Sequence, residues 1–380
     1  MKRVYLDHAA TSPIHPVVME KMFSMMKEHF GNPSSIHSFG RDARRILDES
    51  RRNLATKIGA TPSEVIFTSG GTEADNLAII GTALAHRHKG NHIITSEIEH
   101  HAVLRSCQYL EKNGFNVTYL PVDKHGFVSI NDLKRELTDE TILVTIMYGN
   151  NEVGTIQPIQ EIAKLLKDHQ ALFHTDAVQA FGILSINVKE LGCDLVSVSS
   201  HKINGPKGVG FLYVKSGLKL TPTFYGGEQE LKRRAGTENV PGIFGLSLAS
   251  DFATSELETK QEMFLKFKRE MMSIFEEHSI RYELNGSLEG LPHIANFYFP
   301  KTHIESLLVN LDLAGIAVSS GSACTAGSVD PSHVLVAMYG KESDRITSSV
   351  RFSFGLGTQL EDVQYAAQQI VNIVNRLTNH

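Results

Sequence analysis

The chain has 380 residues, 41% hydrophobic and 21% charged, a balance that fits one large globular domain with a smaller one and excludes disordered, collagen-like and membrane-bundle chains. The 42 acidic and 37 basic residues leave a net charge of −5, so there is no overall basic footprint for nucleic acid. None of the 3 cysteines stands in a C-x-x-C pair, which excludes a disulfide framework and a Cys-only zinc site. The N-terminal MKRVYLDHAATSP opens with two charges, Lys2 and Arg3, and then has no long apolar stretch. It predicts no signal peptide, and a cytoplasmic chain with reduced thiols.

From residue 65 to 214, short β-branched runs alternate with helical patterns. The runs are EVIFTS (64–69), HIITS (92–96), NVTYLPV (116–122), TILVTIMY (141–148), ALFHTD (171–176), DLVSVSS (194–200) and GFLYVK (210–215). Most are nearly continuous in apolar character, as strands covered on both faces are. Amphipathic segments such as 73–87 and 159–170 lie between them. The alternation predicts a doubly wound α/β domain with a mainly parallel, seven-stranded sheet, whose ligands lie beyond the carboxyl ends of the strands. From about residue 250 the pattern changes to a long helix (about 251–278), a strand IANFYFP (294–300), a helix SLLVNLDLAG, a small-residue loop SSGSACTAGS (319–328), a strand SSVRFSFG (348–355) and a final helix. This reads as a smaller α+β domain. The N-terminal strand and loop could pack against either part. The expected division is a large domain over 15–250 and a small one made of 1–14 and 251–380.

Three constellations carry chemistry. SGGTEADN (69–76) follows a strand and opens a helix, which offers backbone N–H groups to a phosphate. It has neither a Walker A lysine nor the three-glycine dinucleotide spacing, and a plain glycine turn capped by Ser69 or Thr72 is the alternative. In HTDAVQA, Asp176 ends a strand, where it could hold a heterocycle nitrogen protonated, or simply cap a helix beginning at Ala177. In SVSSHKINGPKG, Lys202 follows a buried strand, where burial and neighbouring cations depress an amine's pKa and suit it to imine formation. Together these supply a phosphate cradle, a pyridine-nitrogen partner and a reactive amine.

With YLDHAAT (5–11), GNPSSIHSFG (31–40), SSHKINGPKG and SSGSACTAG in this order, the sequence resembles the cysteine desulfurases. These are NifS- and IscS-like members of the class-V aminotransferases, with the type I, aspartate aminotransferase-like fold of pyridoxal-phosphate-dependent transferases. SSGSACTAGS followed by PSHVL resembles the class with a longer cysteine loop. The resemblance implies pyridoxal 5'-phosphate as cofactor, linked covalently to Lys202. It implies Asp176 at the pyridine nitrogen, Gln179 at the phenolic oxygen and Asn151 over the cofactor and substrate. Gly71, Thr72, Ser199 and His201 would bind the phosphate. Thr237, in RRAGTEN, would reach the phosphate of a partner subunit, implying a homodimer with shared sites. His100 would stack on the ring, and Arg351 would pair with the substrate carboxylate.

The residue chemistry accords with these roles. His100 follows a strand at the start of a helix, and a planar imidazole can both stack and exchange protons. The alternative, a metal site of His100 and His101 with His86, His88 and His92, is disfavoured because 86–92 lies at the strand's other end; no metal is expected. Arg351 sits in an otherwise apolar strand, with a structural ion pair as the alternative. Cys324 stands among Ser, Gly, Ala and Thr, whereas Cys107 and Cys193 read as buried. The resemblance implies that Lys202 removes the α-proton of L-cysteine, with His100 as an acid–base partner. Cys324 then takes the sulfur as a persulfide while L-alanine leaves, and a protein acceptor for tRNA thiolation or iron–sulfur cluster assembly receives it. The short stretch after the last helix modestly favours tRNA thiolation. A pyridoxal-phosphate aminotransferase, a selenocysteine lyase, and a non-enzymatic sulfur carrier or RNA-binding protein with KRRAG (232–236) as its patch are the alternatives. No membrane association and no stable nucleic-acid binding are expected.

Overall fold

The computed structural model describes residues 2–255, 257–320 and 331–378. A short strand β1 (Val4–Tyr5) leads to helices α1 (Pro16–Glu28) and α2 (Ser38–Lys57). Strands and helices then alternate through β2 (Val65–Thr68), α3 (Gly71–His86), β3 (His92–Ser96), α4 (His101–Lys112), β4 (Asn116–Leu120), α5 (Ile130–Glu136) and β5 (Thr141–Thr145). The series continues with α6 (Ile159–Leu166), β6 (Leu172–Asp176), α7 (Val188–Leu191), β7 (Leu195–Ser199), β8 (Gly210–Val214) and α8 (Val240–Thr254).

The strands form a seven-stranded sheet in the order β2–β8–β7–β6–β5–β3–β4. Strands β3 to β7 pair in parallel, and β8 runs antiparallel to both neighbours, β2 and β7. Thus β2 runs with the parallel set and β8 alone is reversed. Every residue of β2, β5, β7 and β8 is buried, as continuous apolar runs in a doubly covered sheet must be. The main core joins Leu54 and Ile243 on the helices to Val144, Phe173, Val198 and Phe211 on the strands. Because β2, β3, β5, β6 and β7 share a direction, their carboxyl ends open on one edge.

One helix boundary differs from the expectation of a single helix over 251–278. Residues 251–254 end α8, and a separate helix α9 (Leu257–Glu277) follows. The break is chemical: Thr254 and Ser255 hydroxyls donate back to the Ser250 and Phe252 carbonyls, while the Lys260 ammonium takes the Phe252 and Ala253 carbonyls. These bonds satisfy groups that a continuing helix would have used.

After α9 come β9 (Glu283–Asn285), β10 (Ile294–Tyr298), α10 (Ile304–Leu313), β11 (Ile316–Ala317), α11 (His333–Tyr339), β12 (Ser349–Ser353) and α12 (Leu360–Thr378). Strands β12, β10 and β9 form an antiparallel sheet over a second, aromatic core. In it Phe275 meets Phe297 and Phe299 edge to face, at 5.4 and 5.5 Å. Strand β1 pairs in parallel with β11, which places Val4 and Leu6 in this second core. The chain then crosses back, with Ser12 and His15 donating backbone bonds to the His201 and Asn204 carbonyls. Among the described residues no helix is long and apolar enough to cross a membrane.

Candidate active site

A cavity of about 350 Å³ opens where the strand ends converge. Gly71, Thr72, His100, Asn151, Asp176, Gln179, Ser199, His201, Lys202 and Arg351 all line it, although they come from six separate segments of sequence. Thr237 does not; it is exposed on the segment between β8 and α8. Cys324 lies outside the described residues, but the residues flanking that stretch reach the cavity. Ser319 exchanges backbone hydrogen bonds with Arg351, and both Ser319 and His333 line the wall.

Just after β2, Gly71 begins a helix of 16 residues whose first two residues, Gly71 and Thr72, line the cavity. A Cβ on Gly71 would sit 2.8 Å from a Val178 methyl, so glycine lets the helix start lie this close to the turn that follows β6. Glu73 anchors the turn, accepting from Ser69 N–H at 2.8 Å and from Arg234 at 2.8 Å. Lys232 is paired with Glu228. Two of the three basic residues of KRRAG thus have acidic partners.

Asp176 ends β6 and accepts from Val178 N–H at 2.8 Å in a local turn; no helix begins at Ala177. Burial pushes its carboxyl up to about 6, against the opposing pull of that hydrogen bond and of Lys202. Buried beside it is Asp75, raised well above the usual carboxylate range by burial and by the charge of Asp176. Asp75 Oδ1 has no hydrogen-bond partner among the described residues. Burial and the charge of Asp176 thus favour the neutral form of Asp75.

Lys202 sits in the single turn Ser200–Lys202 that starts the β7–β8 hairpin. Its ammonium donates to the carbonyls of Ala9 and, at 2.7 Å, Ala10. Burial pushes this amine down to about 8; the Arg351 guanidinium adds to the shift, while Asp7 and Asp176 oppose it. His201 meets the Thr11 hydroxyl at 3.1 Å and is pushed down to about 4 by burial and by Lys202 and Lys207. His100 caps α4, its Nδ1 accepting from Ala102 N–H at 3.1 Å, so the neutral ring carries its proton on Nε2. Burial, then the charges of Lys202, His101 and His333, lower it to about 4.

Arg351 reaches the cavity from β12 of the second core, with its side chain 4% exposed. It donates to the Asn151 carbonyl at 2.9 Å and pairs with the Asp7 carboxylate at 2.8 Å. The guanidinium is therefore both a cavity wall and half of an ion pair. Gln179 donates to the Ala9 carbonyl at 2.9 Å. Sequence reasoning missed Asp7, Asp75, His333 and the Ala9 and Ala10 carbonyls. Asp7, Ala9 and Ala10 belong to YLDHAAT, which carried the family resemblance without a role for any of its residues. Cys107 and Cys193 are buried, and burial pushes both thiols up.

The model of the aminotransferase class-V family matches residues 4–366. IscS 1 of Bacillus subtilis (strain 168) is 60% identical over 379 residues, covering 100% of this chain and 100% of its own. The cysteine desulfurase IscS of Dictyoglomus turgidum is 49% identical over 379 residues, covering 99% of this chain and 96% of its own. Among solved structures, a NifS-like protein superposes with a TM-score of 0.92 at 35% identity, over 99% of this chain and 100% of the other. The chain belongs to the aminotransferase class-V family, in its group of cysteine desulfurases.

Proposed function

We propose that the protein is a pyridoxal-phosphate-dependent cysteine desulfurase, converting L-cysteine to L-alanine and leaving the sulfur as a persulfide on Cys324. The observation that carries this reading is the convergence of Lys202, Asp176, the Gly71 helix start and Arg351 on one cavity. The residues present fit pyridoxal 5'-phosphate. Gly71 and Thr72 N–H groups, with Ser199 and His201, suit a phosphate. A charged Asp176 suits a protonated pyridine nitrogen, Gln179 a phenolic oxygen, and a lysine held at about 8 suits an aldehyde.

Bound there, the cofactor supplies an electron sink for charge developing at the substrate's α-carbon. The Lys202 amine, neutral in a useful fraction near pH 8, takes and returns the α-proton. Arg351, already held against Asn151, orients the substrate carboxylate by a forked contact. Neutral His100, with its proton on Nε2, covers the site as an acid–base partner for the substrate or the incoming thiol. The Cys324 thiolate takes the substrate sulfur: the carbon–sulfur bond breaks, a sulfur–sulfur bond forms, and protonation of the carbon yields alanine. The placement of Ser319 and His333 on the cavity wall supports delivery of this cysteine.

The protein acts as a cytoplasmic homodimer, with Thr237 completing the phosphate site of the partner subunit. Exposed Phe23, Phe30, Ile36 and Tyr225, at 61%, 74%, 92% and 83%, support such an interface. A large domain over 15–250 and a small one of 1–14 with 251–380 accord with the two separate cores. Sulfur passes to a tRNA-thiolating enzyme or an iron–sulfur scaffold. The test is incubation of the cofactor-loaded protein with L-cysteine alone. Alanine and protein-bound sulfur are expected without any keto acid, and a strict keto-acid requirement would assign an aminotransferase instead.

A further inference from the structure

The structure assigns His293 a positioning role: its Nε2–H, acting with the Ala9 carbonyl, holds the end of the Gln179 amide that faces the cofactor cavity. The inference rests on the cofactor reading above and adds a residue that lines the adjoining cavity. His293 lies in the loop before β10, pinned by Phe354 N–H donating to its carbonyl at 2.9 Å. The ring is buried, and it lines a second cavity that shares Val178, Gln179 and Lys202 with the first. Gln179 is therefore part of the partition between the two.

The hydrogen bonds around this amide permit one arrangement. Gln179 Nε2 donates to the Ala9 carbonyl at 2.9 Å, the same carbonyl that accepts from Lys202. Gln179 Oε1 faces His293 Nε2 at 3.4 Å. An amide oxygen only accepts, so Nε2 of a neutral His293 must carry the proton. Nδ1, buried and without a partner among the described residues, is then the bare nitrogen. A reversed amide would set two oxygens against each other at Ala9 and require the other tautomer of His293. The charged groups acting on the ring are Lys268 on α9, Lys202 and Arg351, all cationic, with His8 beside them. No carboxylate is among them, and burial with these cations keeps the ring neutral by lowering it to about 3. The Gln179 N–H end therefore stays on the Lys202 side, where it can donate to a phenolate oxygen.

The consequence is spectroscopic. A hydrogen bond donated to a phenolate favours the more negative, deprotonated form of the bound cofactor, so its loss raises the pH at which the visible absorbance changes. One charge-assisted hydrogen bond corresponds to a rise of about one pH unit. In the cofactor-loaded protein, His293→Leu is expected to raise this midpoint by about that amount. His293→Gln, which keeps a donor near the Nε2 position, is expected to restore it. An unmoved midpoint in His293→Leu, or an equal rise in His293→Gln, would overturn the assignment. A second measurement needs no variant that folds poorly and no cofactor. In the ¹⁵N-histidine-labelled unmodified protein, the His293 signal, identified by its absence from His293→Gln, is expected to be Nε2-protonated. An Nδ1-protonated ring would overturn the assignment. An unmodified protein that takes up no pyridoxal phosphate overturns the cofactor reading instead, and the tautomer alone then decides the hydrogen bond.

Discussion

Lys202 sets a numerical expectation for cofactor uptake, because only a neutral amine attacks an aldehyde. At pH 7, an amine with its midpoint at about 8 is neutral in about one molecule in ten; an ordinary lysine at 10.5 is neutral in about one in three thousand. The site is thus worth about 300-fold in reactive amine at pH 7. Mixing apoprotein with pyridoxal phosphate in a stopped-flow spectrometer across pH 6–10 is expected to give an uptake rate that rises with a midpoint near 8. The two charges flanking Lys202 give the test opposite signs. Arg351→Gln removes a cation that lowers the amine and frees an anion that raises it, so the midpoint moves up. Asp7→Asn removes the anion and leaves the cation, so the midpoint moves down. A wild-type midpoint above about 9.5, or shifts of the same sign in the two variants, would refute the assigned environment.

Cys324→Ser is expected to keep the visible band of the bound cofactor while alanine formation stops and the protein no longer gains the mass of one sulfur atom; continued turnover would remove the persulfide step. Glu230→Ala is expected to destabilise the fold by about 3–5 kcal/mol, because it removes the buried carboxylate that part-buried Arg51 now holds at 2.6 Å and strips Phe67 N–H of its acceptor. Urea unfolding measures this, and a loss below about 1 kcal/mol would contradict the pairing. Because His100 is lowered to about 4, its ring stays neutral over pH 6–8. His100→Gln should then lower kcat by about 100-fold without moving the acid limb of the kcat–pH profile in that range. A limb that vanishes with His100 would show that the ring titrates there.

The sequence was legible wherever chemistry sits at the end of a periodic run. Asp176 closes an apolar strand and Lys202 follows another; SGGT joins a strand to a helix, and each is placed by local pattern alone. The break between α8 and α9 was not legible, because it depends on hydroxyls and Lys260 competing for carbonyls that a helical periodicity treats as already used. Nor could residues 4–6 announce which core they enter, since a two-residue apolar strand pairs equally well on paper with either sheet.

By itself the sequence determined the alternating architecture, the burial of the strands and the residue types delivered to each strand end, because hydrophobic period and turn chemistry are properties of neighbours in the chain. Only the tertiary structure decided that Asp7 meets Arg351 across 344 positions, that His293 meets Gln179 across 114, and that the Ala9 and Ala10 carbonyls receive Lys202. Those contacts depend on strand order and on the crossing of the first segment between two cores, and a side chain's own periodicity reports that it is buried without naming what it is buried against.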